Sequence, residues 1–339
     1  MQNRLPAFTS IMAAAALSVP PAFADAEKVN AGTFIRADSD VYIANMAKEI
    51  GGLGTFAHSR EVVPPDKQTI IRMNRDTLYS NAVVDLEGGP VTVTLPKADD
   101  GRSVALEVFS QDHFSTAVVD EGTHTFTKED VGTRYAALLV RTFVDMNSPD
   151  DVKNAHAVKD AITLEQAAAG TLELPDHDKT SHHATRHALL DLGALGIGGL
   201  GAQMGSGPEK VDPVAHLIAA AAGWALNPPN GAIYLNPPLT TSDGTRVHQL
   251  VMKDVPVEAF WSIGVYNKDG FFEPNALNVN SVNSARPRAG DARLTAVGPP
   301  RRLGTARAGR AARQPEGAGG TSPAARIWRS CPDLWQPEH

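Results

Sequence analysis

Cysteine appears once in 339 residues, at Cys331, so the body of the chain holds no disulfide and no cysteine nucleophile. A chain of this length stabilises itself with a hydrophobic core instead, and 42% hydrophobic residues supply one, arranged most simply as two domains. No stretch approaches the ~20 apolar residues of a membrane-spanning helix, so no span is expected. G-x-S-x-G and H-E-x-x-H are both missing, which removes the nucleophile elbow and the helical zinc-protease site. The last lysine is Lys268, and everything after it relies on arginine for positive charge.

Charge divides unevenly. The formal total is −7, but residues 25–284 hold 20 Lys and Arg against 34 Asp and Glu, a net of −14. Residues 285–339 hold 10 arginines against 4 acids, and Arg4 is the remaining cation. An acidic body is repelled by nucleic acid and by anionic lipid, so neither is an expected partner. The tail also has 11 Ala, 7 Gly and 7 Pro but no Phe, Tyr, Asn or Met. Those enriched residues have GC-rich codons, so the tail from about residue 285 reads as the product of a shifted reading frame. A basic arm for nucleic acid is the rival, and it lacks lysines and aromatics at useful spacing.

The first residues have the layout of a secretory signal: Arg4 in a short polar start, the apolar LPAFTSIMAAAALSV, then Ala22-Phe23-Ala24 before Asp25. Cleavage near Ala24 and a periplasmic or secreted location are the expectation. Helical spacing of Phe34, Val41, Ile43, Met46 and Ile50 predicts a helix over 30–50, stopped by Gly51-Gly52. From 60 to 145 the period becomes two. TIIRM, SNAVVDL, VTVTLP, VALEVF, THTFT and YAALLVRTFV alternate with turn residues, which predicts an antiparallel sandwich. Residues 148–226 predict three helices: one opened by Ser148-Pro149 and running through AITLEQAA, one over TSHHATRHALLDLGALG, and one over DPVAHLIAAAAGWAL capped by Asp212. Strands return from 230 in GAIYLN, RVHQLVMKDV and AFWSIGVYN.

The segments IRMNRDTLYSNAVVDLEGGPVTVTLP, GTRYAALLVRTFVD, HLIAAAAGWALNP, AIYLN and VKDVPVEAFWSIGVYNKDGFFEPN resemble, in order, a bacterial exported family. That family pairs domain of unknown function 1254 with domain of unknown function 1214, and the resemblance covers about residues 28–284. It implies a mainly β fold with a helical insert: two antiparallel β-sandwich domains, the second jelly-roll-like and incomplete here, followed by a disordered tail. The expected division is 1–24 signal, 25–147 first sandwich, 148–226 helical insert, 227–284 truncated second sandwich and 285–339 irregular tail.

Two constellations are candidates for binding. Arg72, Asn74, Arg75, Asp76 and Tyr79 lie in the N-R-D-T-x-Y-S stretch, where alternation along a strand sends Arg75 and Asp76 to opposite faces, each needing its own partner. They either offer donors and acceptors to an anionic or hydroxylated ligand, or anchor the turns at the strand's ends. Aromatics are only 6% of the chain, so the gathering of Trp224, Tyr234, Trp261 and Tyr266 among Asn227, Asn236, Asn267 and Asp269 stands out. Aromatic faces beside amides suit a sugar, while Trp and Tyr in sandwich strands are ordinarily core.

Other motifs fall away. His177, His182, His183 and His187 cluster, but without an H-E-x-x-H pattern they read as a solvated helix start and not a metal site, and no metal or cofactor is expected. GIGGLG at 196–201 follows a helix instead of a strand and has Ala221 where an acid belongs, so it is not a dinucleotide fingerprint. Ser110, Asp112 and His113 in FSQDHFS are too close along one strand to form a triad alone. Two functions follow: a non-catalytic periplasmic or envelope-associated protein binding a small molecule or glycan, with oligomerisation allowed; or a hydrolase of a glycan or ester built on Asp76, His113 and Tyr79.

Overall fold

A computed structural model describes residues 26–68, 72–197, 200–228, 231–235, 248–252, 255, 257, 259–267, 270–275, 279–284, 292–296 and 303–308. The expected signal segment, Asn236, Asp269, Cys331 and most of the tail lie outside these residues. The fold mixes antiparallel sheets with a few helices.

Helix α1 (Phe34–Ile50) ends where Gly51 takes a left-handed φ of 88° and returns its N–H to Ala47 at 3.0 Å. After it come β1 (Ala57–His58), β2 (Thr77–Asp85), β3 (Val91–Leu95), β4 (Val104–Ser110), β5 (Ser115–Val119) and β6 (Gly122–Phe126). A capped turn of helix, α2 (Lys128–Val131), leads into β7 (Tyr135–Phe143). The strands form a five-stranded sheet, β1-β2-β7-β4-β5, and a smaller one that β3 and β6 share with β8 (Thr163–Gln166). Every strand pair is antiparallel among the described residues.

Alternation along β2 and β7 decides the packing. Ala82, Val84, Leu138 and Val140 point to one side, where they meet Val91, Val93 and Phe126 of the smaller sheet in a shared core. Val83, Ala137 and Leu139 point to the other side, where they meet Ile43 and Ala47 of α1 together with Trp224. Both faces of the five-stranded sheet are covered. That is why YAALLVRTF reads as an almost unbroken apolar run.

The helical stretch differs from expectation in one place. Helix α3 (Pro149–Asp160) is capped by Ser148, whose hydroxyl accepts from Asp151 N–H, but it stops at Asp160. The AITLEQ residues read as its continuation instead form β8, pairing with β3 from Thr163 to Gln166. A free edge on β3 captures a segment whose own helix preference is modest. Helices α4 (Lys179–Ala194) and α5 (Pro213–Ala222) follow; α5 is capped by Asp212 and ends at Gly223, short of Trp224.

In the C-terminal part are β9 (Ile233–Leu235), β10 (His248–Met252), β11 (Trp261–Val265), β12 (Ser281–Asn283), β13 (Ala292–Ala296) and β14 (Leu303–Ala308). They form a four-stranded sheet, β12-β11-β14-β9, and a pair, β10-β13. The last two strands correct the expectation of an irregular chain from residue 285. Ladder pairing uses backbone N–H and C=O groups, so it tolerates a side-chain pattern as poor as ARLTA or LGTARA. TIIRM needs correction too: residues 69–71 lie outside the described part, and Arg72 is left-handed (φ 55°), not extended.

Candidate functional site

The N-R-D-T segment is a joint. Asn74 Oδ1 accepts from the N–H groups of Asp76 and Thr77 at 3.1 and 3.0 Å and from the Thr77 hydroxyl at 2.9 Å, while its Nδ2 donates to Tyr79 Oη at 2.8 Å. Asn74 therefore shapes the entry to β2 from within. Arg75 and Asp76 lie just before that strand and not on it, and both reach the same distant segment. Arg75 Nη1 donates to Asn280 Oδ1 at 3.3 Å, and Asp76 Oδ1 accepts from Asn283 Nδ2 at 3.0 Å. Burial lowers the Arg75 pKa, with Asp76 acting against it. The joint runs further: Arg72 N–H donates to Gly270 O at 2.8 Å, and Tyr266 Oη to Met73 O at 2.9 Å.

The aromatic candidates are enclosed, with one exception. Trp224 stacks on Tyr42 at 5.0 Å and donates its indole N–H to Ser39; Trp261 packs with Leu250 and Ile263; Tyr266 stacks on Phe272 at 4.4 Å. All three are buried. Tyr234 is exposed, and its hydroxyl accepts from Asn227 Nδ2 at 2.5 Å.

An open cleft among the described residues lies between the five-stranded sheet and Asn227, Gly231, Ala259 and Phe260, with a volume of about 380 Å³. Its floor carries Glu107 of β4 and Arg141 of β7, diagonal neighbours in the sheet, since Arg141 pairs with Ala105 and Glu107 with Leu139. Arg141 Nη1 donates to Glu107 Oε2 at 2.6 Å, and Ser115 Oγ donates to Glu107 Oε1 at 2.7 Å. The Arg141 side chain is 11% exposed and that of Glu107 only 2%. Burial alone would lower the Arg141 pKa, but Glu107, Tyr79 and Tyr234 outweigh it and hold the guanidinium charged. The Tyr79 ring lies under that guanidinium at 5.6 Å, and Ala225 O accepts from Nη2 at 3.3 Å. Nε is buried without an acceptor.

Around this floor stand Asp120, Glu121, Arg102, Thr77, Asn227 and Phe260. Arg102 is taken up by Asp100 and Asp151. The cleft therefore offers carboxylate and amide groups beside an apolar face, without surplus positive charge.

Neither Glu107 nor Arg141 stood out as a candidate in the sequence. One signal was present: each is a lone charge inside an apolar strand, VALEVF and YAALLVRTF, and buried charges of that kind are rare unless paired.

His113, a candidate base, is fully buried. Its ring lies among Phe109, Trp224 and His216, and its Nε2 accepts from Ala225 N–H at 2.9 Å. Burial, with His216 adding, pushes its pKa down to about 3. The histidine cluster is not a solvated helix start throughout, because two members reach back to carboxylates buried on α1. His182 Nε2 lies 2.9 Å from Asp38 Oδ1 and His177 Nε2 lies 3.1 Å from Asp40 Oδ2. Arg186 also binds Asp38, and Gln111 Nε2 donates to Asp40 Oδ1 at 2.7 Å. Burial raises the Asp38 pKa against the pull of Arg186 and His182. A smaller cavity of about 140 Å³ opens beside Asp40, His177 and His182. No group of three or more metal-ligating side chains occurs among the described residues, and no helix there is long and apolar enough to cross a membrane.

The sequence profile of the family described as Protein of unknown function (DUF1254) matches residues 53–129, a stretch that runs from the approach to β1 to the start of α2. No curated protein matches the chain. The crystal structure of the VPA0106 protein from Vibrio parahaemolyticus superposes with a TM-score of 0.60 at 16% identity, covering 83% of this chain and 93% of that one. That likeness is one of fold. A putative uncharacterized protein from Burkholderia cenocepacia has a TM-score of 0.44 at 16% identity over 84% of this chain and 86% of its own.

Proposed function

We propose that the protein is a non-catalytic ligand-binding protein of the cell envelope, and that a small neutral, hydroxylated molecule of the sugar class occupies the cleft above Arg141 and Glu107. The observation that carries this reading is the cleft itself. Its volume of about 380 Å³ falls in the range of small-molecule sites, roughly 300–1,000 Å³. Its lining joins carboxylates, an amide and a hydroxyl to the face of Phe260. Both guanidiniums are already paired, which disfavours phosphates and other anions. The hydrolase built on Asp76, His113 and Tyr79 is the weaker reading, because an enclosed imidazole that already accepts an N–H has no lone pair for a substrate proton.

The architecture proposed with it is a pair of β-sandwiches, the second jelly-roll-like, joining a DUF1254 part to a DUF1214 part around the helices. Of the binding candidates, Arg72, Asn74, Arg75 and Asp76 then serve as the joint between the two parts. Tyr79 and Tyr234 support the cleft from behind Arg141 and Asn227.

The test is a thermal-shift and calorimetric screen of the chain with neutral mono- and disaccharides against the matching sugar phosphates. A neutral sugar at 100 times its Kd stabilises by about 2.7 kcal/mol. Asn227→Ala lowers that affinity at least about tenfold by removing a polar contact. If no neutral sugar raises the melting temperature, or if phosphates bind as well, the reading fails.

A further inference from the structure

Three residues other than glycine hold a left-handed backbone among the described residues: Arg72, His113 (φ 62°) and Ala225 (φ 58°). Alanine occupies that region rarely and stays there only where its surroundings hold it. The holding group is visible, because two of the three are bonded to each other. Ala225 N–H donates to His113 Nε2 at 2.9 Å, and the carbonyl of the same Ala225 accepts from Arg141 Nη2 at 3.3 Å. One strained residue thus connects a buried imidazole to the floor of the cleft.

The imidazole is enclosed by other rings and held through Nε2, while its Nδ1 is buried without an acceptor. His216 of α5 lies 5.6 Å from it, ring to ring, and is itself fixed between Gln203 O at 2.8 Å and Asp112 O at 3.1 Å. Trp224, the residue before Ala225, lies 6.0 Å away and is held in turn by Ser39 and Tyr42 of α1. The ionisable neighbours are His216 and the Arg36–Asp112 ion pair at the surface beside it. An atom that accepts an N–H carries no proton, so His113 is the neutral tautomer with its proton on Nδ1.

We infer that His113 is the positioning residue of the cleft: taking the cleft as the ligand site, its neutral Nε2 holds Ala225 left-handed, so that Ala225 O locks Arg141 and the following residues set Asn227 into the wall. His113 acts only through Ala225 and touches no ligand. FSQDHFS therefore matters to binding without supplying a catalytic base.

Two amide substitutions separate this role from simple packing. Glutamine carries its terminal oxygen about as far from the backbone as imidazole Nε2, whereas asparagine, equally polar and tolerant of positive φ, falls short. The measurements are hydrogen exchange at the Ala225 amide and phenylglyoxal modification of Arg141, mapped by mass spectrometry. His113→Asn speeds both by at least about tenfold, because Ala225 N–H loses its acceptor and the local structure opens more often. His113→Gln stays near the parent in both. The inference is overturned if His113→Asn leaves Arg141 reactivity unchanged, or if His113→Gln loosens both sites equally. Should neither variant fold, ¹⁵N–¹H spectra of the histidine rings in the native chain decide: a proton on His113 Nδ1 supports the role, and one on Nε2 overturns it. Because Arg141 is followed without any ligand, these outcomes stand apart from whether a sugar binds.

Discussion

Asp76 Oδ1 accepts a hydrogen bond from Asn283 Nδ2 at 3.0 Å, joining residues 207 positions apart. Asp76 is 2% exposed, so this contact replaces water for a buried carboxylate. Together with Arg75 and Asn280 it stitches the entry of β2 to β12.

Removing either partner takes away one hydrogen bond of the other; Asp76 keeps a longer contact from Ser281 Oγ at 3.4 Å. Asp76→Ala and Asn283→Ala each destabilise by about 1–3 kcal/mol in urea unfolding. The double variant costs less than the two single losses together, by about 0.5–3 kcal/mol, since the bond the two residues share is lost only once. Strict additivity refutes the idea that this pair is the joint.

The Glu107–Arg141 pair is dangerous to break and easy to replace. Glu107→Ala leaves a buried guanidinium without its counter-ion and costs about 3–5 kcal/mol, whereas converting both residues to well-packed apolar ones is close to neutral. Urea midpoints of the single and double variants test this. A Glu107→Ala midpoint equal to the parent's shows that water reaches Arg141 freely.

His113 makes the protein acid-sensitive in a defined window. Its folded pKa of about 3 lies below the ordinary 6.5, so the unfolded chain takes up a proton that the folded chain refuses. Its contribution is complete above pH 6.5 and declines as pH falls from there toward about 3. In His113→Gln this part of the decline disappears, giving a flatter curve of melting temperature against pH between 7 and 4. Parallel curves for the two proteins reject the assignment.

Export and the tail are tested on the gene and the mature product. Periplasmic material begins at Asp25 by intact mass if the Ala22-Phe23-Ala24 site is cut, and a product that starts at Met1 rejects export. Resequencing across codons 280–300 detects the proposed frame change, and a clean single frame removes it.

Some of this protein was legible along the chain because the forces involved are local. Ser148 and Asp212 cap the helices that follow them through hydrogen bonds two or three residues long, and Gly51 ends α1 within a single turn. Alternation announced β3 for the same reason, since neighbouring residues on a strand must face opposite ways, while β2, β4 and β7 showed as apolar and β-branched runs bounded by turn residues. Tertiary structure decided the rest. Thr163–Gln166 became a strand because β3 had an unpaired edge. Asp38 and Asp40 are buried on α1 because His182, Arg186, His177 and Gln111 arrive from elsewhere to hold them. Glu107 and Arg141 meet because β4 and β7 pair in one particular register, which no property of VALEVF or ALLVRTF specifies alone. His113, a candidate base in FSQDHFS, is buried because α5 and Trp224 pack over it. Caps and periodicity depend on residues a few positions apart, whereas burial, pairing and protonation depend on what the rest of the chain brings alongside.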